Sequence, residues 1–432
     1  MLSFFASKHP RAILIHIDFY RQETPDFDEL RELAKTARVE VMDHLRFQRD
    51  RIDPKFYMGE GKVIELEALI ALHEADLVLF NHDLTPTQER NLNQRLNIQV
   101  MSRTGIILEI FSQRARTHEG KLQVELAHLD YQATRLVRGW THLERQRGGI
   151  GVRGGPGETQ LEIDKRLLRQ KMKQLKTQIE KVKSQRQLGR ASRQKSDTPC
   201  IALVGYTNAG KSTLFNLLCH SDVYVANQLF ATLDPSLRQL IVPQYGEIVL
   251  ADTVGFIRSL PHSLVEAFKA TLEEVIEANL LLHVMDASHS DYLLQKAQVL
   301  QVLEEIGAGG QPILEVMNKI DLSEYHEPRI DYDDQGLPIR VWISALQGTG
   351  EALLQKAILQ RLSPKQFKGT IILAPKQGEI RSILYSWQAV LKEEIDEQGA
   401  SHLQLAVAET RLALLFKQHG LDWSVNQSAV SS

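Results

Sequence analysis

The stretch Gly205-Tyr-Thr-Asn-Ala-Gly210-Lys211-Ser212 leaves this chain few folds to choose from. It follows directly on an apolar run, Ile201 to Val204, and opens a helical pattern, the strand–turn–helix setting that a phosphate-binding loop requires. Glycines let successive backbone amides wrap an anion, and the helix that follows adds its positive end. Lys211 is expected to reach the β- and γ-phosphates of a nucleotide, and the Ser212 hydroxyl to ligate Mg²⁺.

Three further elements follow at expected strand ends and in the required order. Val249 to Asp252 runs into Asp252-Thr-Val-Gly255, where the carboxylate would hold Mg²⁺ through water and the Gly255 amide would meet the γ-phosphate. Ile313 to Met317 runs into Asn318-Lys319-Ile320-Asp321. A carboxylate there accepts from guanine N1–H and the N2 amine, donors that adenine lacks in that geometry, so Asp321 selects GTP over ATP. Val341 to Ile343 leads to Ser344-Ala345-Leu346, whose Ala345 amide would contact guanine O6. Between the first two elements, Leu229-Phe-Ala-Thr232-Leu-Asp-Pro235 supplies Thr232, the candidate mobile threonine that joins the Mg²⁺ shell only with γ-phosphate present.

The expected nucleotide contacts are therefore Gly205, Tyr206, Thr207, Asn208, Ala209, Gly210, Lys211, Ser212 and Thr213; Phe230, Ala231, Thr232, Leu233 and Asp234; Asp252, Thr253, Val254 and Gly255; Asn318, Lys319, Ile320 and Asp321; and Ser344, Ala345 and Leu346. Lys211, Thr232, Asp252 and Gly255 are the candidate catalytic groups, with Ser212 and Thr232 binding Mg²⁺ directly. Phe256 stands where signalling GTPases place a water-orienting glutamine, and its ring can orient no water. A slow intrinsic hydrolysis rate follows, with the missing element supplied by a partner or a loop rearrangement.

The net charge of −3 conceals a segregated block: residues 111–196 hold 20 Lys and Arg against 8 Asp and Glu, a surplus of +12, and the rest of the chain carries −15. Such a block points to a phosphate-rich partner, since counterion release drives nucleic-acid binding. The same block has a seven-residue rhythm. Leu122, Leu126, Leu129, Ala133, Leu136, Trp140 and Leu143 form one stripe, and Leu161, Leu168, Met172, Leu175, Ile179 and Val182 another, which predicts an antiparallel coiled-coil hairpin. Gly148 to Glu158, with six glycines, joins the helices, and Thr159 with Glu162 reads as a capping box. Arg145, Arg147 and Arg153 give this tip its phosphate-seeking, RNA-binding character.

The 432 residues divide on this reading into an N-terminal parallel α/β domain (1–110), a basic helical hairpin (111–197), a P-loop GTPase domain (198–365) and a small α+β C-terminal domain (366–432), an α/β protein overall. In the first, 12–19, 39–42, 76–80 and 98–101 read as strands, and 27–37, 62–75 and 86–96 as helices. Gly59 and Gly61 read as a plain helix-entry turn, and no complete phosphate loop occurs before residue 110. Lys183 to Thr198 reads as a linker, and the tail offers strands at 370–373 and 402–407 with nothing catalytic. No apolar run approaches the roughly 18 residues of a membrane helix, the start lacks a secretory h-region, and two cysteines make no disulfide framework. A cytoplasmic location is expected, with peripheral membrane contact as its only variant.

Asp252-Thr-Val-Gly-Phe256, Phe230-Ala-Thr-Leu-Asp-Pro235, Gln113 to Leu126 and the glycine-rich Gly148 to Thr159 together resemble the HflX family of translation-associated GTPases, over about residues 55 to 365. Two positions depart from the family pattern: two glycines, Gly154 and Gly155, separate Arg153 from Pro156 where the family has one, and Ser102 replaces the usual Asp before Arg103-Thr104. The resemblance implies a monomeric Mg²⁺-dependent GTP hydrolase, converting GTP to GDP, that binds the large (50S) ribosomal subunit through its rRNA. It also implies ribosome-stimulated hydrolysis and the splitting or rescue of stalled or idle ribosomes under stress. A large-subunit assembly factor without splitting activity is the alternative. A membrane-associated switch is disfavoured, because the arm has a narrow seam and no broad aromatic lipid face.

Overall fold

The computed structural model describes residues 9–20, 26–139, 160–195, 198–220, 229–233, 236–242, 246–258, 272–323, 327–362, 366–387, 389–396 and 399–408, with 412, 415, 416 and 419. Within that range the chain divides into two compact units, Met1–Pro328 with Trp342–Glu351, and Arg329–Val341 with Ala352–Ser432.

The first unit begins with four parallel strands, β1 (Arg11–Phe19), β2 (Glu40–Arg49), β3 (Leu77–Phe80) and β4 (Gln99–Met101), in the order β2-β1-β3-β4. Ala12 to Ile15 and Leu77 to Phe80 are wholly buried, as expected of strands covered on both faces. Helices α1 (Phe27–Thr36), α2 (Glu60–His73) and α3 (Pro86–Leu96) connect them. Each start has a local cause: the Asp26 carboxylate accepts the Asp28 N–H at 3.1 Å, and Thr85 with Gln88 forms a capping box ahead of Pro86. Strand β2 runs seven residues beyond the stretch expected from its apolar residues. It lies at the sheet edge, so Leu45 and Phe47 turn inward while His44, Arg46 and Gln48 are exposed, and the alternation hides it from an apolar-run reading.

Helix α4 (Arg103–Arg114) is buried from Arg103 through Phe111. Ser102 caps it, its Oγ accepting the Gly105 N–H at 3.3 Å and sharing a 2.9 Å hydrogen bond with the Tyr131 hydroxyl. Serine and aspartate are near-equivalent N-caps, which accounts for the exchange noted at this position. Helices α5 (His118–Gly139) and α6 (Gln160–Lys195) pack along the expected seam, where Leu122, Leu126 and Leu129 meet Leu168, Met172, Leu175 and Ile179. Lys171 and Glu125 pair across it at 2.7 Å. Helix α6 continues to Lys195, so most of the expected linker is helix: Gln, Arg, Lys and Ala there are good helix formers, and its single glycine is tolerated. The tip loop 148–159, Arg145, Arg147, Arg153, Trp140, Leu143 and the Thr159 cap lie outside the described residues.

The rest of the first unit holds β5 (Cys200–Gly205), α7 (Lys211–Cys219), β6 (Ser236–Val242), β7 (Gly246–Asp252), β8 (Leu280–Asp286), α8 (Tyr292–Glu305) and β9 (Ile313–Asn318). Strands β7, β5, β8 and β9 lie side by side and parallel, and β6 pairs antiparallel with β7. Three of the four predicted motifs thus leave the carboxyl ends of neighbouring strands, which is where open parallel sheets bind ligands. One apolar core runs from Leu30, Leu33 and Ile107 to Phe230, Val254 and Phe256.

The second unit contains β10 (Arg329–Tyr332), most of β11 (Pro338–Trp342) and α9 (Glu351–Leu362), then β12 (Gln366–Leu373), α10 (Gly378–Ser386), β13 (Val390–Ile395) and β14 (Ser401–Ala408). The last three strands form an antiparallel sheet in the order β12-β14-β13 over a core of Ile371, Leu384, Leu403, Leu405 and Phe416. Strand β13 was not expected: its Val390-Leu-Lys-Glu-Glu-Ile sequence is an exposed edge with three ion-paired charges, Lys392, Glu393 and Glu394.

Candidate nucleotide site

Strand β5 ends at Gly205, and the loop that follows returns to α7 through Gly210, at φ +92°, a backbone region that favours glycine. A cavity of about 390 Å³ opens over this loop. Thr207, Asn208, Gly210, Lys211, Ser212 and Thr213 line it, with Phe230, Ala231 and Thr232, Thr253 and Gly255, Asn318, Lys319 and Asp321, and Leu346. Leu322, which sequence reading missed, adds an apolar wall. All four motifs are brought together.

Three oxygens meet on one side of the cavity. The Ser212 and Thr232 hydroxyls are 2.8 Å apart, and each donates to Asp252 Oδ2 at 2.8 Å. Asp252 Oδ1 is buried and has no hydrogen-bond partner. Burial pushes the Asp252 carboxyl up, against the opposing pull of Thr232, Lys211 and Ser212. A hard divalent cation suits this all-oxygen donor set and would supply the charge that the buried carboxylate lacks. Lys211 is itself buried, and its Nζ donates to the carbonyls of Gly205 at 3.1 Å and Tyr206 at 2.7 Å. Burial lowers its pKa to about 8.

At the other end, Asn318 braces two loops rather than facing the cavity with both polar atoms. Its Nδ2 donates to the Ala209 carbonyl at 2.9 Å, and its Oδ1 accepts the Ala345 N–H at 2.9 Å. The Ala345 amide expected to reach a base is therefore held by Asn318 in this arrangement. The Lys319 ammonium pairs with Asp286 at 2.6 Å. Asp321 Oδ1 is without a partner, so a carboxylate acceptor stands ready at the cavity wall.

Several expected contacts lie behind the wall instead. Gly205, Ala209, Leu233, Asp252, Val254, Ile320, Ser344 and Ala345 do not line the cavity; Asp252 meets it through the Ser212 and Thr232 hydroxyls, and Ser344 Oγ accepts the Gln347 N–H at 3.2 Å. The Tyr206 side chain turns away altogether, toward α1. Asp234 lies outside the described residues. Phe256 is 2% exposed and packs in the core, while its backbone zips onto the loop: Phe256 N–H donates to the Gly205 carbonyl at 3.1 Å and the Thr207 N–H to the Phe256 carbonyl at 2.7 Å. No side chain at that position can handle a proton for the site.

Comparison with known proteins shows the family to which the chain is similar. Family models described as GTP-binding GTPase N-terminal, GTP-binding GTPase Middle Region and 50S ribosome-binding GTPase match residues 24–112, 114–193 and 200–319. A protein of Escherichia coli (strain K12) named GTPase HflX is 52% identical over 409 residues, 94% of this chain and 96% of that one.

The chain belongs to the HflX family of GTPases.

Another HflX, from Caldanaerobacter subterraneus subsp. tengcongensis, is 43% identical over 391 residues, 90% of each chain. A crystal structure of a GTP-binding protein from Sulfolobus solfataricus in complex with GDP aligns with 24% identity and a TM-score of 0.44, covering 82% of this chain and 99% of that one. As an HflX-family protein the chain is a GTP hydrolase built on an α/β P-loop fold. Among the described residues no helix is long and apolar enough to cross a membrane.

Proposed function

We propose that the cavity holds Mg²⁺ and GTP, and that the basic hairpin couples hydrolysis there to the large ribosomal subunit. The oxygen cluster of Ser212, Thr232 and Asp252, with a second Asp252 oxygen unpartnered, carries the first half of this reading. Ser212 and Thr232 would bind the ion and Asp252 would hold it through water; bound there, it would neutralise charge on the phosphates. Lys211 offsets further charge on the same phosphates, and the loop amides wrap the β-phosphate. The Gly255 amide donates to the γ-phosphate, and Asp321 accepts from guanine N1–H and N2. With Phe256 buried in the core, the chain supplies no water-orienting side chain there, so unassisted turnover is slow and particles stimulate it.

The ribosomal half rests on two supports. The surplus of +12 over residues 111–196 suits an RNA surface, and a family model described as 50S ribosome-binding GTPase matches residues 200–319. We assign rRNA contact to the hairpin, with Arg145, Arg147 and Arg153 at its tip, and the domain divisions at 110, 197 and 365. The chain acts as a cytoplasmic monomer that splits or rescues stalled or idle ribosomes under stress. Sucrose-gradient profiles of 70S particles mixed with the protein and a non-hydrolysable GTP analogue test this. Conversion of 70S to free subunits is expected; binding to the large subunit without separation would overturn splitting and favour an assembly role. Arg153→Ala is expected to weaken particle binding while GTP affinity holds.

A further inference from the structure

Helix α1 reaches the phosphate loop from outside the cavity. The Tyr206 hydroxyl donates to Glu29 Oε1 at 2.5 Å and accepts the Arg258 N–H at 2.8 Å. Burial, with Glu29 beside it, pushes the phenol pKa upward, so the hydroxyl stays a donor at any working pH. Arg103 Nη2 donates to the other Glu29 oxygen, Oε2, and to the Arg258 carbonyl at 3.3 Å. Arg103 is 2% exposed, and its Nη1 donates to Asn81 Oδ1 at 2.8 Å. Asn81 is fixed in turn, its Nδ2 meeting His16 Nδ1 at 3.0 Å and the Asp26 carbonyl at 2.9 Å. The same region grips the segment before Thr232: the Leu229 N–H donates to Thr36 Oγ1 at 3.2 Å, and the Phe111 and Phe230 rings meet edge-to-face at 4.7 Å.

We propose that Glu29 and Arg103 are positioning residues that hold a Tyr206–Arg258 latch and so set the preference for GTP over GDP. The proposal rests on the nucleotide site assigned above. The amides of the phosphate loop serve the β-phosphate, which GTP and GDP share. The N-terminal region holds that loop at Tyr206, and it also holds the two segments that carry the groups answering only to the γ-phosphate. Thr232 lies two residues after Phe230, and Gly255 three residues before Arg258. In the arrangement observed, the latch is closed and the Thr232 hydroxyl is within 2.8 Å of both Ser212 and Asp252. A contact that stabilises one of two loop arrangements raises the affinity of whichever nucleotide favours that arrangement. A ligand indifferent to the two arrangements gains nothing from it. The carboxylate between guanidinium and phenol makes the contact charge-assisted, the stronger class of hydrogen bond.

The test uses the full chain with Mg²⁺ and compares dissociation constants for GDP and a non-hydrolysable GTP analogue. Glu29→Gln keeps the side chain's size and one acceptor oxygen but loses the charge; Tyr206→Phe keeps the ring and deletes the hydroxyl. Each is expected to lower the analogue-over-GDP preference about tenfold, the scale of one charge-assisted hydrogen bond. GDP affinity is expected to hold in Glu29→Gln. The double variant is expected to lose no more than the worse single one, because both changes break one connection. An unmoved ratio, a parallel loss for both nucleotides, or additive losses would overturn the latch. If the unaltered chain bound neither nucleotide, the site assignment itself would fall, an outcome distinct from intact binding with an unmoved ratio.

Discussion

Replacing Gly255 with alanine probes a close approach beside the expected γ-phosphate position. A methyl there would lie 2.9 Å from Thr207 Cα, 2.9 Å from Thr207 Cγ2 and 3.0 Å from Lys211 Nζ. Non-bonded carbons rest about 3.5–4.0 Å apart, so the overlap is between about 0.5 and 1 Å. Neither neighbour can easily retreat. The Thr207 N–H is tied to the Phe256 carbonyl at 2.7 Å, and Lys211 Nζ to the carbonyls of Gly205 and Tyr206 at 3.1 and 2.7 Å. The segment 255–256 must therefore move outward. Losing the Thr207–Phe256 hydrogen bond costs about 1 kcal/mol of stability. Shifting the Gly255 amide by about 1 Å from a γ-phosphate costs about 10²-fold in rate, or about 2.7 kcal/mol of transition-state stabilisation. Single-turnover GTP hydrolysis with large subunits present, read as phosphate release, is expected to slow by about that factor. GDP, which has no γ-phosphate, is expected to bind almost as before. A variant rate within about threefold of the parent's would show that the Gly255 amide keeps its place, since a displacement of about 1 Å costs more than that.

Three other outcomes follow from the same geometry. Asp321→Asn removes a charged acceptor for two guanine donors, and at about 1.5–3 kcal/mol each GTP affinity should fall by about 10²–10⁴-fold. Xanthosine triphosphate, with a carbonyl at C2, should be partly rescued by the new amide; equal binding of GTP by parent and variant would count against the assignment. Lys211, at about pH 8 in the free protein, is drawn toward its protonated form by bound phosphates, so affinity is steady below that pH and falls as pH rises through it. Calorimetry in two buffers of different ionisation heat should show proton uptake on GTP binding at pH 8.5 that is clearly larger than at pH 7. No uptake at pH 8.5 would contradict the buried, depressed lysine. Phe256→Gln places an amide in the apolar core and should cost about 2–4 kcal/mol, seen as a lower Tm, without accelerating hydrolysis. A tenfold gain in rate would show that this side chain can reach the cavity.

The seam of the hairpin was legible because Leu122, Leu126 and Leu129 repeat at a helical period whatever the rest of the chain does. Polarity misled the reading where it signalled exposure rather than a loop. The stretch after Lys183 is charged yet helical as far as Lys195, and β13 is charged because it is an exposed edge. Strand β2 shows the same effect, its inward Leu45 and Phe47 separated by residues facing out.

Sequence alone determined the phosphate loop, the Mg²⁺ oxygens and the base-selecting carboxylate as candidates, because each depends on a few contiguous residues whose backbone path and functional group are set locally. It did not show that the Tyr206 side chain leaves the site, that Asn318 engages the Ala345 amide, or that Glu29 and Arg103 grip the loop. Glu29 and Tyr206 are 177 positions apart, and Arg103 and Arg258 are 155. Only the burial of Leu30, Leu33 and Phe111 in one core with Phe230 and Phe256 brings them together. Contacts of that range leave no period and no spacing in a single sequence; packing alone creates them.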